Sequence, residues 1–178
     1  MDQTARLSDR RWQLRDATAA AHHALDTTVG GFDTRESYLS YLRSNYRFRA
    51  AVEPGLTGVD HGHWHPRRLL DDLRRDMADL GLPLPEVSAA PALSGSALIG
   101  RLYVLEGAAL GSQILRKRAL SLGFDATFGA RHLSGNVANW TAFLPLLDSA
   151  TPFDADQAAH GATLTFDLAR DAFAKELT

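Results

Sequence analysis

The sequence contains no cysteine among its 178 residues. This absence excludes disulfide bonds, iron–sulfur clusters, thiolate zinc sites and cysteine nucleophiles, so a bound metal needs histidine or carboxylate ligands. The chain also lacks any apolar run near the roughly 18 residues that a membrane span requires. Its beginning lacks the apolar core of a secretory signal. We therefore expect a cytoplasmic protein with no membrane association.

Charge of one sign is not in excess. Nineteen Lys and Arg residues face 21 Asp and Glu residues, which gives a formal net charge of −2 at pH 7. This balance shows no signature of nucleic-acid binding. Hydrophobic residues make up 45% and charged residues 22% of the chain, as in an ordinary folded protein. The length suits a single domain over residues 1–178 that encloses a core and a ligand pocket.

Hydrophobic periodicity predicts an all-α fold. Almost every segment between glycine and proline breakers repeats apolar residues at helical spacing, and none alternates as a strand does. We predict about six or seven helices. The main ones run from Ser8 or Asp9 to about Thr27, from Thr34 to just before Pro54, from Pro66 to Gly81, over residues 92–121, over residues 135–149, and from about Asp154 onward.

The predicted helix over residues 92–121 is unusually rich in glycine. Each glycine in a helix interior costs about 1 kcal/mol relative to alanine. Gly100, Gly107 and Gly111 lie seven and four residues apart, so together they clear one stripe of side chains and let a flat group approach the backbone. Close packing of two helices through small residues, with Ala108 among them, is the alternative explanation.

His22 is the candidate metal ligand of the first predicted helix. It shares one helix face with Leu14, Ala21 and Leu25, so we expect its imidazole to point inward. His23 lies about 100° further round and is expected to point outward. A hydrogen-bonded histidine of the core, without any metal, is the alternative.

Two charged residues on the same helix favour the ligand interpretation. Asp26 follows His22 by one turn, where its carboxylate can accept the second N–H of the ring and increase the basicity of the other nitrogen. Arg15 precedes His22 by two turns, about 10 Å along the axis, within reach of an anionic group on the same ligand. With the glycine stripe, these residues predict a flat metal cofactor held between two helices.

Other motifs carry weaker signals. The segment His61–His65 contains three histidines, but it lies in a predicted loop, where exposure or adventitious metal binding is expected. A di-iron carboxylate bundle needs Glu-x-x-His pairs, which the chain lacks. It also lacks a Gly-x-Ser-x-Gly elbow and a phosphate-binding glycine loop. Arginine groups at 67–68, 74–75 and 116–118 are interpreted as solvated helix faces, with docking of an acidic electron donor as the functional alternative.

Two motifs and the last predicted helix carry a family resemblance over most of the chain. The motifs are Leu14-Arg15-x-Ala17-Thr18-x3-His22-x2-Leu25 and Tyr103-Val104-Leu105-Glu106-Gly107-x2-Leu110-Gly111, and the helix contains Phe166 and Phe173. These segments resemble those of heme oxygenases, and most of all the short bacterial enzymes that supply biliverdin to bacteriophytochromes.

The resemblance implies a heme-degrading monooxygenase with heme b as both cofactor and substrate. Its products are biliverdin, carbon monoxide and ferrous iron, and it uses dioxygen and a donor such as a ferredoxin or a flavin reductase. His22 is then the proximal iron ligand, Arg15 faces a heme propionate, Phe166 packs near the heme edge, and the backbone at Gly107 and Gly111 belongs to a kinked, catalytic distal helix. The full set of implied site residues is Arg15, His22, Asp26, Tyr103, Gly107, Ala108, Gly111 and Phe166.

Two positions depart from the animal members of that family. Ala108 stands where they carry a distal aspartate that organises water, so backbone groups or other side chains must hold water here. No basic residue between Val137 and Leu144 replaces those that bind propionates. A non-catalytic heme-binding or heme-sensing protein of the same fold is therefore the alternative function. A thiaminase-like helical bundle with a small organic ligand is a third possibility.

Overall fold

The computed structural model describes residues 9–59 and 61–176. These residues form helices and no strand, which confirms the predicted all-α class. None of the helices in these ranges is long and apolar enough to cross a membrane. The helices are α1 (Asp9–Val29), α2 (Arg35–Val52), α3 (Leu70–Asp79), α4 (Gly95–Gly107), α5 (Ala109–Ser121), α6 (Ala138–Ser149) and α7 (Ala155–Ala174), with short 3-10 helices at Glu53–Leu56 and Arg131–Leu133.

Two helices start at the predicted positions, and a side chain caps each of them. The Thr34 hydroxyl accepts the N–H of Ser37 and the Ser37 hydroxyl accepts the N–H of Thr34, both at 3.1 Å, which is a capping box at the start of α2. Asp154 accepts the N–H of Gln157 at 3.0 Å and caps α7. Ser8, a predicted cap of the first helix, lies outside the described residues.

α3 begins at Leu70 and not at Pro66, so the predicted start is wrong by four residues. The reason is a distant carboxylate. Glu53 accepts the N–H of Leu69 at 2.7 Å and the N–H of Leu70 at 3.1 Å. These are N–H groups that the first turn of a helix leaves without a backbone partner, and a buried anion at that end stabilises the turn.

Arg67 and Arg68 therefore precede α3, and their interpretation as a solvated helix face is wrong. Arg67 donates to the carbonyl of His132 at 3.2 Å, and Arg68 donates to the carbonyl of Leu56 at 2.7 Å. Both guanidinium groups hold backbone of other segments.

The backbones of α4 and α7 approach each other closely at two glycines. A Cβ on Gly100 would lie 1.9 Å from the carbonyl oxygen of Ala158, and a Cβ on Gly161 would lie 2.0 Å from that of Ala97. Only glycine permits this separation. Gly100 thus serves helix packing, and its predicted place in a ligand stripe with Gly107 is wrong.

α7 packs against α1, α2 and α4. The helical spacing of its apolar residues predicts one buried face, formed by Ala158, Ala162, Phe166, Ala169 and Phe173, and the structure confirms it. Four members of that face are buried and Phe173 is partly buried. The buried members are Ala158, Ala162, Phe166 and Ala169.

The single helix predicted over residues 92–121 is divided. It starts at Gly95 and separates at Ala108 into α4 and α5. Across the division, the N–H of Ala108 bonds the carbonyl of Val104, and the N–H of Ser112 bonds the carbonyl of Ala108, both at 3.2 Å. The division falls in the helix that the resemblance implies to be kinked.

The connection between α5 and α6 is fixed by a buried carboxylate of α3. Asp76 accepts the N–H groups of Arg131 at 2.9 Å and His132 at 3.1 Å, and Nδ1 of the His132 ring lies 2.7 Å from its second oxygen. Both Asp76 and His132 are almost fully buried. This group of hydrogen bonds ties the chain after α5 to the core.

Candidate functional site

His22 lies near the C-terminal end of α1, and its imidazole does not point inward as predicted. The side chain is 61% exposed, whereas Leu14 and Thr18 on the first half of the same face are buried. Near His22, Ala21 and Leu25 of α1 pack against residues of α4 and α7. There the His22 ring meets the ring of Phe166 edge to face, with centroids 5.5 Å apart.

Asp26 lies beside His22 as the one-turn spacing predicts. Its Oδ2 is 3.6 Å from Nδ1 of His22, an ion-pair distance longer than a hydrogen bond. Within the described residues, Nε2 of His22 has no hydrogen-bond partner. The ring therefore turns one nitrogen toward a carboxylate and leaves the other available for a ligand.

Tyr103 brings α4 to this part of α1. It packs against the cluster of Val104, Ala162 and Phe166, and its ring centroid lies 5.6 Å from that of Trp140. Burial raises the pKa of Tyr103, while the positive charges of nearby arginines on α1 oppose that rise. The phenol is therefore protonated at neutral pH and can donate a hydrogen bond.

Arg15 belongs to a group of cations and aromatic rings that was not predicted from the sequence. Its guanidinium lies 4.9 Å above the ring of Trp12, and that of Arg11 lies 5.4 Å from the rings of both Trp12 and Trp140. Trp12 is 44% exposed. The i, i+3 spacing of Trp12 and Arg15 on a helix is the signal that could have indicated this group.

Gly107, Ala108 and Gly111 mark the junction of α4 and α5. A Cβ on Gly107 would lie 3.6 Å from the Trp140 ring, an ordinary contact, whereas a Cβ on Gly111 would meet no atom within 4 Å. Ala108 and Gly111 are exposed. Bare backbone and a methyl group therefore face open space at the start of α5, as close approach of a flat ligand requires.

The structure thus joins His22, Asp26, Phe166 and Tyr103 through direct contacts or one shared cluster. Gly107 is linked to them through Trp140, which touches both Gly107 and Tyr103. Missed by the sequence reasoning are Arg11, Trp12 and Trp140.

Two other features lie apart from this group. A cavity of about 630 Å³ is lined by side chains that include Ile99, Leu102, Phe143 and Phe153, and none of the predicted site residues reaches it. The segment 61–65 holds no metal cluster, since no set of three potential His, Asp or Glu ligands converges among the described residues. Instead, Trp64 is buried and packs against Phe143.

The chain is similar to bacterial proteins of one kind. Heme oxygenase PigA of Pseudomonas aeruginosa is 31% identical over 181 residues, which cover 93% of this chain and 91% of that protein. A heme oxygenase of Xanthomonas campestris pv. campestris is 38% identical over 122 residues, covering 64% and 73% of the two chains. No family model matches the chain.

A solved structure has the same fold. The NO- and CO-bound heme oxygenase from Neisseria meningitidis superimposes with a TM-score of 0.79 over 94% of this chain and 91% of the other, at 27% sequence identity. The similarity therefore extends over nearly the whole of both chains.

Proposed function

This chain belongs to the heme oxygenase family and is a heme-degrading monooxygenase, and we propose that His22 of α1 is the protein ligand of the heme iron. The reaction converts heme, which is both cofactor and substrate, to biliverdin, carbon monoxide and ferrous iron with dioxygen and electrons from a reductase. The relatives are enzymes by name, which favours this activity over that of a non-catalytic heme-binding protein.

The residues of the site fit heme b. Nε2 of His22 offers a nitrogen ligand of the type that iron accepts in heme proteins. Apolar side chains that stand in solvent, Trp12, Leu110 and Ile114, provide surface for the porphyrin. The guanidinium groups of Arg11 and Arg15 offer partners for propionate carboxylates.

His22 is the observation that carries the assignment. Phe166 limits how its ring can rotate, because the two rings are in edge contact. Asp26 favours a proton on Nδ1, which leaves the lone pair of Nε2 for iron. Since both side chains are more than half exposed here, the carboxylate acts as an orienting partner and contributes little to folding.

The opposite wall consists of Gly107, Ala108 and Gly111. Bound heme supplies the iron that binds dioxygen and the porphyrin edge that is oxidised. The chain's own contribution there is a backbone without bulky side chains, which lets a flat ligand approach closely and leaves room for small molecules. The protonated Tyr103 phenol provides a hydrogen-bond donor near this wall, in a site where Ala108 cannot act as one.

Electrons come from a reductase, and we propose an acidic ferredoxin or flavin reductase that docks on the cationic surface of α5. Arg116, Lys117 and Arg118 are exposed there. Electrostatic docking of this kind weakens with ionic strength, so turnover with the protein donor falls as salt rises, whereas turnover with ascorbate does not.

A bacteriophytochrome is the proposed recipient of the biliverdin, with the whole chain acting as one heme-binding domain. Coexpression with a bacteriophytochrome apoprotein tests the recipient. A covalent, red-absorbing photoreceptor must form with the wild-type chain and fail to form with His22→Ala.

Titration of the protein with hemin, followed by ascorbate or a ferredoxin and its reductase, tests the iron ligand. We expect a stoichiometric Soret band that gives way to the broad red absorption of biliverdin. His22→Ala loses histidine ligation and most turnover. His23→Ala is the matched control, because His23 is the adjacent, exposed residue of the same helix. Normal biliverdin formation by His22→Ala overturns the assignment.

A further inference from the structure

Gly107 and Gly111 weaken the helix on either side of the division between α4 and α5, but they do not select the carbonyl that loses its partner. Ala108 has helical torsion angles, φ −58° and ψ −22°, and neither helix contains proline. In a continuous helix the N–H of Ala109 would bond the carbonyl of Leu105. Among the described residues this bond is not made. The regular i to i−4 pattern resumes at Ser112, whose N–H bonds the carbonyl of Ala108.

The Leu105 carbonyl is bonded by a side chain from another helix. Nη2 of Arg49 on α2 donates to it at 3.4 Å. Arg49 is 4% exposed, and its Nη1 lies 3.5 Å from Oε1 of Glu53. The Glu53 carboxylate, which also holds the first N–H groups of α3, offsets part of the cost of burying this cation, although Nη1 of Arg49 makes no hydrogen bond among the described residues.

The carboxylate next to Leu105 in the chain, that of Glu106, has other partners. Glu106 accepts the N–H of Arg67 at 2.7 Å and the amide N–H of Asn139 at 2.8 Å, so its oxygens hold other segments against α4. The C-terminal end of α4 carries the negative end of the helix dipole. Arg49 contacts a carbonyl at the C-terminal end of α4, and the negative end of the helix dipole stabilises its positive charge there.

We propose that Arg49 is the positioning residue that opens the hydrogen-bond ladder at Leu105 and thereby sets where the backbone from Gly107 to Gly111 lies. A side chain inserted into the ladder is a known cause of helix kinks. The consequence for catalysis rests on the proposed function, because that backbone forms the wall opposite His22 only if heme binds there. The break itself is observed in the backbone of the chain.

Hydrogen exchange of the heme-free protein tests the structural part. The variant Arg49→Met/Glu53→Gln removes the cation together with its counter-charge, since Arg49→Met alone leaves the Glu53 carboxylate buried without a counter-charge and can prevent folding. Without the inserted donor, the N–H of Ala109 is expected to bond Leu105 again and to exchange about tenfold more slowly. A general loss of stability would accelerate exchange instead.

Two variants serve as controls. Arg101→Met removes another buried arginine of α4, one that bonds the Pro91 carbonyl and the Thr165 hydroxyl. We expect Arg101→Met to leave the exchange rate of the Ala109 N–H unchanged or to increase it. Arg49→Lys keeps the charge and is expected to restore exchange part of the way to wild type. Unchanged or faster exchange at Ala109 in a folded double variant overturns the proposal.

Measurements with heme test the catalytic part. The double variant should bind heme within about threefold of wild type, because His22 and Arg15 are unchanged, while biliverdin formation slows by about tenfold or more. Glu53→Gln alone leaves Arg49 buried without its counter-charge and lowers the free energy of unfolding, but it keeps the Arg49–Leu105 contact, so Ala109 should not gain protection. If Ala109 gains protection and biliverdin forms at the wild-type rate, Arg49 positions the helix without serving the reaction. Failure of wild type to bind heme would instead reject the proposed function and leave the exchange result intact.

Discussion

His22 and Phe166 meet edge to face, with ring centroids 5.5 Å apart and ring planes at 63°. This contact joins α1 to α7. It gives an exposed histidine a fixed neighbour, which a ligand of a metal needs if its ring is to keep one orientation.

Phe166→Leu keeps the apolar volume but removes the edge contact with His22. Pairs of this geometry contribute about 0.5–1.5 kcal/mol beyond their burial, so we expect heme affinity to fall by roughly three- to tenfold. Phe173→Leu on the same helix is the control, since Phe173 contacts Tyr41 and not His22. Equal heme affinities in the two variants, measured by Soret titration, would show that the ring contact does not orient the histidine.

Asp26→Asn is expected to preserve heme binding and to raise the reduction potential of the iron. A carboxylate beside Nδ1 increases the electron donation of His22, and an amide does so less. Spectroelectrochemistry measures the change directly. Asp16→Asn removes the same charge from α1 away from His22, and a potential shift as large as that of Asp26→Asn would mean that only net charge matters.

The glycines of α4 and α5 should differ sharply when each is replaced by alanine. Gly100→Ala places a Cβ 1.9 Å from the Ala158 carbonyl oxygen, so we expect a loss of at least about 1–3 kcal/mol in the free energy of unfolding. Gly111→Ala meets no atom within 4 Å and should not destabilise the heme-free chain. Urea unfolding measures both.

The bulkier change Gly111→Phe extends this comparison to the ligand. Its free energy of unfolding should remain near that of wild type, while binding of heme and of carbon monoxide to the reduced complex weakens. Unchanged heme and carbon monoxide binding by Gly111→Phe would contradict the assignment of α5 to the wall opposite His22.

Local chemistry predicted much of the helical frame. Thr34 and Asp154 cap the helices that they precede in the sequence, and the spacing of Ala158 and Phe166 gives the buried face of α7. These features depend on residues three to eight positions apart, whose relation is set by helix geometry alone.

Features set by distant residues were not predictable in this way. The start of α3 is fixed by Glu53, 16 residues before Leu69. Glycine is required at position 100 because a carbonyl of α7 lies against it. His22 lies on the expected face, but its exposure depends on how far α7 overlaps α1. For the buried charged side chains, the sequence offered one indication: Arg101 and Glu106 occur within an otherwise apolar helix.

The buried pair of His132 and Asp76 gives the fold a dependence on pH whose sign follows from both pKa values. Burial lowers the pKa of His132, outweighing the opposite effect of Asp76. Burial alone would raise the pKa of Asp76, but hydrogen bonds from the His132 ring and from the backbone N–H groups of Arg131 and His132 lower it overall. The folded chain thus holds a neutral imidazole that donates from Nδ1 to a carboxylate.

Both shifts make acid destabilising. Below pH about 6.5 the unfolded chain binds a proton at His132 that the folded chain does not, so the free energy of unfolding falls with a slope of up to about 1.4 kcal/mol per pH unit for this group. Asp76 adds a further loss below pH about 4.

We expect His132→Gln to be less stable than wild type at pH 7.5, and its free energy of unfolding to decline less steeply between pH 6.5 and 5. His63→Gln, an exposed histidine, should keep the wild-type slope. Urea unfolding across this pH range measures the slopes, and parallel curves for wild type and His132→Gln would mean that His132 takes up its proton equally well in the folded chain.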